Sequence, residues 1–93
     1  MKIKNIYYSS HFEKAFKALP SGVGGQAIEK EKIFREDCFD KRLKTHKLKG
    51  ELGNYWAFSI NYSYRILFEF SGKDEVGFID VGTHSIYNGT EIS

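Results

Sequence analysis

Tyr64-Arg65-Ile66-Leu67-Phe68-Glu69-Phe70 decides how this chain is read. Successive side chains on a strand point to opposite faces. Tyr64, Ile66, Phe68 and Phe70 therefore share one face, and Arg65, Leu67 and Glu69 share the other. Ser71-Gly72-Lys73-Asp74 has the composition of a turn, and Glu75–Thr83 reads as the next strand. Upstream, Tyr55–Asn61 places Trp56, Phe58 and Ile60 on one face, and His46–Glu51 is a short strand closed by Gly50 and Gly53. Four strands in succession, separated by short polar turns, predict an antiparallel meander.

Ahead of Asp37 the period is different. Lys2–Tyr8 suits a strand, and Ser10 is expected to cap a helix with Glu13 as its capping-box partner. Phe12, Ala15, Phe16 and Leu19 follow at helical spacing and form an apolar stripe, with Lys14 and Lys17 off it and Pro20 as the stop. Ser21 is expected to cap a second helix over Val23–Glu36, with Ala27, Ile28 and Phe34 facing inward, although Gly22, Gly24 and Gly25 weaken its start. Asp37–Arg42 reads as a loop. The order is βααββββ. The fold class is α+β, with the helices packed on one face of a twisted sheet and the other face left for a partner or substrate. A chain of 93 residues supports one domain, residues 1–93. It has no internal repeat and no low-complexity stretch.

Aromatic residues make up 16% of the chain, enough to fill a small core with few side chains. The net charge is only +2, so the distribution matters more than the sum. Lys41, Arg42, Lys44, Lys47 and Lys49 crowd into nine residues around His46. Such a run is most often a solvated face; its functional reading is contact with phosphate, since Coulomb attraction in salt acts only at short range. Cys38 is the single cysteine and has no partner for an intramolecular disulfide, so it reads as a small apolar residue. MKIKNIYYSS lacks the apolar core and cleavage site of a signal peptide, and no apolar run reaches membrane-spanning length. A cytoplasmic protein with no membrane partner is expected. One Cys and three scattered His give no zinc spacing, and no Gly-rich phosphate loop follows a strand, so no metal and no cofactor are expected.

Three segments carry groups capable of chemistry. In Leu43-Lys44-Thr45-His46-Lys47-Leu48-Lys49-Gly50, alternation puts Lys47 and Lys49 on one face and His46 on the other unless the chain bends there. Arg65 interrupts an apolar strand, either paired with Glu69 or Asp80 or open for two-point contact with phosphate. Gly82-Thr83-His84-Ser85-Ile86-Tyr87 ends a strand with an imidazole, whose ordinary pKa of ~6.5 suits proton transfer near neutrality. Tyr87 is either a packed aromatic or a surface on which a base stacks. His11, on the first helix, reads as exposed.

The order and spacing of Tyr7-Tyr8-Ser9, Arg42–Gly50, Tyr55–Ile60, Tyr64–Phe68 and Gly82–Tyr87 resemble the RelE/ParE superfamily of toxins over nearly the whole chain. The resemblance implies a RelE/ParE-like fold. It also implies the toxin of a type II toxin–antitoxin system, a metal-independent endoribonuclease cutting messenger RNA on the ribosome. Its partners would be a cognate antitoxin, the ribosome and mRNA. On that resemblance Lys44, Lys47 and Lys49 bind RNA, and Arg65, His84 and Tyr87 are catalytic. His46 stands where YoeB-like relatives carry a glutamate base, so the base is His46 or His84. Phe12, Phe16 and Leu19, with the exposed sheet edges, are the expected antitoxin contacts. A ParE-like gyrase inhibitor and an inactive relic that only binds an antitoxin are the alternative readings.

Overall fold

A computed structural model describes residues 1–87. The elements are β1 (Asn5–Tyr8), α1 (Ser10–Lys17), α2 (Val23–Glu36), β2 (His46–Lys47), β3 (Trp56–Ser59), β4 (Arg65–Gly72) and β5 (Glu75–Gly82), with single 3-10 turns at Lys41–Leu43 and Gly50–Leu52. The class is α+β, in the βααββββ order expected. The five strands lie in the order β1-β5-β4-β3-β2. β2 to β5 form the antiparallel meander, while β1 runs parallel to β5, with Ile6 opposite Val76. That one parallel pairing follows from the helical hairpin, which separates β1 from the meander and carries the chain back across the sheet.

The helices cover one sheet face, and aromatic rings fill the interface. Phe34 of α2 stacks on Phe58 at 4.8 Å and meets Phe68 and Phe78 edge-on at 5.0 and 5.4 Å. Phe12 of α1 packs on Phe78 at 5.4 Å. Such offset and edge contacts add to the area term. Phe34, Phe58, Phe68 and Phe78 are fully buried. Cys38 is also fully buried, and that burial pushes its thiol pKa up, which suits a packing residue rather than a nucleophile.

Several local expectations are corrected. Ser9, not Ser10, caps α1: its Oγ accepts from the Phe12 amide at 2.9 Å. The same hydroxyl donates to the Ile79 carbonyl at 2.9 Å, so tertiary contact decides between the two serines. Gly22, not Ser21, precedes α2; its φ of 90° makes the sharp entry that L-residues resist, and no side chain caps the helix. Ala27 and Phe34 are buried as expected, but Ile28 is 52% exposed, because it is rotated off the stripe that these two residues define. The strand expected over 46–51 shrinks to His46–Lys47, because the chain coils at Gly50–Leu52. The face away from the helices is not bare either. Ala57 and Leu67 are fully buried on it, and Ile86 returns so close to Gly82 that a Cβ there would meet Ile86 Cγ2 at 2.8 Å. Residues 88–93 of the polar tail lie outside the described residues.

Candidate functional site

At one end of the sheet the β3–β4 turn, the end of β5, α2 and the 41–44 segment converge on a groove of about 680 Å³. Lys30, Arg42, Lys44, Arg65 and His84 line it, together with Tyr62 and several hydroxyl and amide groups. No carboxylate is among the described residues of its wall. Cations gathered on a wall without carboxylates suit a polyanion.

Arg42 and Lys44 are positioned by the local chemistry of the 41–44 segment. Asp40 caps the 3-10 turn by accepting from the Arg42 amide at 2.9 Å, and its carboxylate also takes Arg42 Nε and Nη2 at 3.0 and 2.9 Å. That guanidinium holds the Asp40 carboxyl pKa down at about 2, so Arg42 brings a partly neutralised charge to the groove. Lys44 follows in the left-handed conformation, φ 53° and ψ 39°, as the sole non-glycine residue with positive φ among the described residues. An L-residue adopts this at a cost. The bend is clamped on its far side, where Thr45 Oγ1 donates to the Cys38 carbonyl at 2.6 Å. His46 Nδ1 sits 3.1 Å from the Lys44 carbonyl. A proton on Nδ1 makes that contact a hydrogen bond and leaves Nε2 as an acceptor.

Arg65 is half-buried between Ser59 and Gly82 in the sheet register. It has no carboxylate partner among the described residues, and its hydrogen bond to the Tyr62 carbonyl is a long one, Nη1 to oxygen at 3.5 Å. The alternative of pairing with Asp80 fails because Asp80 is occupied. It accepts from the Val81 amide at 2.8 Å and meets His11 Nε2 at 3.1 Å. Tyr87 lies behind the groove with its hydroxyl buried and closing no hydrogen bond of good geometry among the described residues. Burial pushes the phenol pKa up; the nearby Arg65 guanidinium pulls it down, and burial wins. The exposed His84 ring meets the Tyr87 ring edge-on at 5.8 Å.

Of the residues singled out from sequence, Lys44, Arg65 and His84 meet in the groove and Tyr87 adjoins it. His46 does not line it. Its register partner Ala57 pairs with Leu67, which places His46 on the same sheet face as Arg65 but with β3 between them. Lys47 pairs with Trp56 on the helix side of the sheet, Lys49 precedes the Gly50–Leu52 turn, and neither lines the groove. Phe12 is 5% exposed and committed to the core, and Phe16 and Leu19 are half-buried against it. Phe12 and Phe16 also line a second groove of about 350 Å³ between α1 and α2, with Ile28 on its wall and Glu13 and Glu31 on its rim, whereas Leu19 does not. Sequence reading missed Lys30 and Tyr62. Nothing in the linear pattern marks Lys30, but an aromatic in the polar Asn61-Tyr62-Ser63 turn was a visible signal. No group of three or more His, Cys, Asp or Glu able to hold a metal ion occurs among the described residues. No helix among them is long and apolar enough to cross a membrane.

No protein-family model matches the chain, and a search of the curated proteins finds no relative. Solved structures do match. A YoeB/ParE toxin from Agrobacterium tumefaciens superposes with a TM-score of 0.74 at 15% identity, over 87% of this chain and 99% of that one. The fold is that of the RelE/ParE-type toxins. YafQ in the E. coli DinJ–YafQ toxin–antitoxin complex shares this toxin fold with a TM-score of 0.71 at 17% identity, over 92% of this chain and 97% of its own. The archaeal RelE of the Pyrococcus horikoshii RelE–RelB complex shares it with a TM-score of 0.68 at 17% identity, over 89% and 96%. At such identities the toxin fold is common ground, and the site must be argued from this chain's own residues.

Proposed function

We propose that this chain is the toxin of a type II toxin–antitoxin pair, an endoribonuclease that cuts messenger RNA in the ribosome. The observation that carries the reading is Arg65: a guanidinium without a carboxylate partner among the described residues, half-buried in a cationic groove, with an imidazole on the same wall. A structural arginine would have a counter-ion; one held open is suited to a phosphate.

The chemistry that fits is attack by an RNA 2′-oxygen on the adjacent phosphorus. The 2′-O–P bond forms, the P–O5′ bond breaks, and the products are a 2′,3′-cyclic phosphate and a 5′-hydroxyl. A base takes the 2′-hydroxyl proton, an acid supplies one to the leaving 5′-oxygen, and Arg65 and Lys44 offset the charge on the phosphorane. His84 is the favoured proton carrier because it lines the groove beside Arg65 and Tyr87. His46, with its Nε2 left as an acceptor, is the second candidate and requires the strand to reach across β3. The protein's own cations supply the positive charge, so the proposed reaction needs no metal in the site. Lys47 and Lys49, outside the groove, extend the basic surface along the strand's path.

The ribosome enters because a domain of net charge +2 has little affinity of its own for free RNA, so the strand must be delivered and oriented. Neighbours with this fold are seen bound to antitoxins, RelB in one case and DinJ in another. The groove between α1 and α2 fits such a partner, an amphipathic segment laying apolar side chains on Phe16 and Ile28. The test is to induce the chain in cells and map message 5′ ends, then repeat the cleavage on programmed ribosomes with EDTA in excess of all but ribosomal magnesium. Cuts ending in 2′,3′-cyclic phosphate are expected; intact messages with gyrase-linked DNA breaks would replace this reading with the gyrase-inhibitor one.

A further inference from the structure

We infer that Tyr62, at the tip of the β3–β4 turn, is a stacking platform for an unpaired RNA base next to the phosphate held in the groove. The inference rests on the nuclease reading for its choice of RNA, and it assigns to that site a residue with no part in the bond-breaking steps.

Tyr62 is 96% exposed. Single exposed aromatics are common on protein surfaces, so exposure alone decides nothing. What distinguishes Tyr62 is its mounting. Asn61 Oδ1 accepts from the Ser63 and Tyr64 amides, both at 2.9 Å. Asn61 Nδ2 donates to Gln26 Oε1 on α2 at 2.7 Å, and the Ile60 amide donates to the Tyr64 carbonyl at 2.8 Å. The turn is thus tied to its own hairpin and to a helix, and the ring stands on a fixed base. A turn already tied in place loses little backbone freedom when a ligand covers it, which leaves only the two side-chain torsions of the ring to be ordered. The same turn offers its Tyr62 carbonyl to Arg65 Nη1, which joins the platform to the phosphate clamp. Tyr62 also lines the carboxylate-free groove. A cationic track beside an exposed ring is the arrangement that binds single strands, where the backbone meets the cations and a splayed base meets the ring. Bases in a duplex are already stacked, so the same arrangement selects against paired RNA.

The test uses the full chain and a 2′-O-methyl RNA hexanucleotide carrying 2-aminopurine, which cannot be cleaved and whose fluorescence falls on stacking. At low salt, where weak screening lets the cationic groove hold a short strand that it would release at physiological salt, wild-type protein should quench it saturably, and the same sequence in a duplex should not be quenched. Tyr62→Phe and Tyr62→Trp should retain quenching, while Tyr62→Ala should bind roughly tenfold or more weakly. So exposed a side chain bears little on folding, and an unchanged melting temperature for Tyr62→Ala checks this. Equal quenching by Tyr62→Ala, or none by the wild type, overturns the assignment. Cleavage on programmed ribosomes is measured alongside. If Tyr62 governs quenching but the wild type cuts nothing, the nuclease reading falls and the platform stands. If the wild type cuts and Tyr62→Ala binds normally, the reverse holds.

Discussion

Replacing Arg65 with alanine separates folding from function. Arg65 lies on the face opposite Ile66 and Phe68, its register neighbours are Ser59 and Gly82, and its hydrogen bond to the Tyr62 carbonyl spans 3.5 Å. Truncation therefore opens no cavity on the helix side of the sheet and strands no carboxylate among the described residues. The expected loss is about 0.5–1.5 kcal/mol, that of one modest hydrogen bond with some packing. For a domain of this size each kcal/mol moves the melting temperature by roughly 4–8 °C, so a fall of about 10 °C or less is expected. Cleavage should respond on another scale. Removing one preorganised charge donor costs about 10²–10³-fold in rate, or about 2.7–4 kcal/mol. Arg65→Lys should recover only part, because an ammonium makes no planar two-point contact. A second signature sits on Tyr87: without the guanidinium only burial acts on its hydroxyl, so its pKa, already above 10.0, should climb further. Thermal melting, single-turnover cleavage on programmed ribosomes and phenol titration by ultraviolet difference spectra read the three effects. Unfolding of Arg65→Ala would make Arg65 structural, and wild-type cleavage by a folded Arg65→Ala would remove it from the mechanism.

Lys44→Gly relieves a left-handed backbone that costs an L-residue roughly 1–2 kcal/mol, so melting should be unchanged or slightly raised while cleavage falls and its salt dependence flattens; a large loss of stability would show that the lysine side chain holds the bend. His84→Ala should slow cleavage and flatten its pH–rate profile while His46→Ala leaves the profile's shape intact, and the opposite pair of results would move the proton-transfer role to His46. Ile28→Asp, at a position 52% exposed, should leave folding and toxicity intact but weaken antitoxin binding roughly tenfold or more, read by calorimetry and by loss of rescue on co-expression. An Ile28→Asp protein neutralised as well as the wild type would place the antitoxin elsewhere.

The fold was legible where a local rule and a tertiary demand agreed. The helix carrying Phe12, Ala15 and Phe16 and the apolar alternation of β3 and β4 follow from periodicity, and the structure keeps both. The choice of Ser9 over Ser10 as cap was not legible, because it depends on a hydroxyl reaching the Ile79 carbonyl seventy positions away. Ile28 misled because α2 has a weak apolar pattern, and only the seating of Phe34 among three sheet phenylalanines sets its rotation. The parallel pairing of β1 with β5 leaves no local trace. The site was half legible. Lys44, Arg65 and His84 were found by type and by family resemblance, yet Lys30 joins them only through the packing of α2. Lys47 and Lys49 looked equivalent to Lys44 in the linear cation run, until the left-handed turn at Lys44 sent the chain into a sheet edge beyond the groove.

The pairing of β1 with β5 has a consequence in time. Asn5 bonds to Glu75, 70 positions later, and the groove needs Arg65 and His84 as well as Lys30. At a synthesis rate of about 5–20 residues per second, the first strand waits roughly 4–14 s for its neighbour to be made. Through that interval the nascent chain has an N-terminal strand with no sheet to join and only part of a binding groove. Such a distant closure also slows folding once all strands exist. The order of the strands alone therefore withholds a complete groove until β5 and His84 have been made.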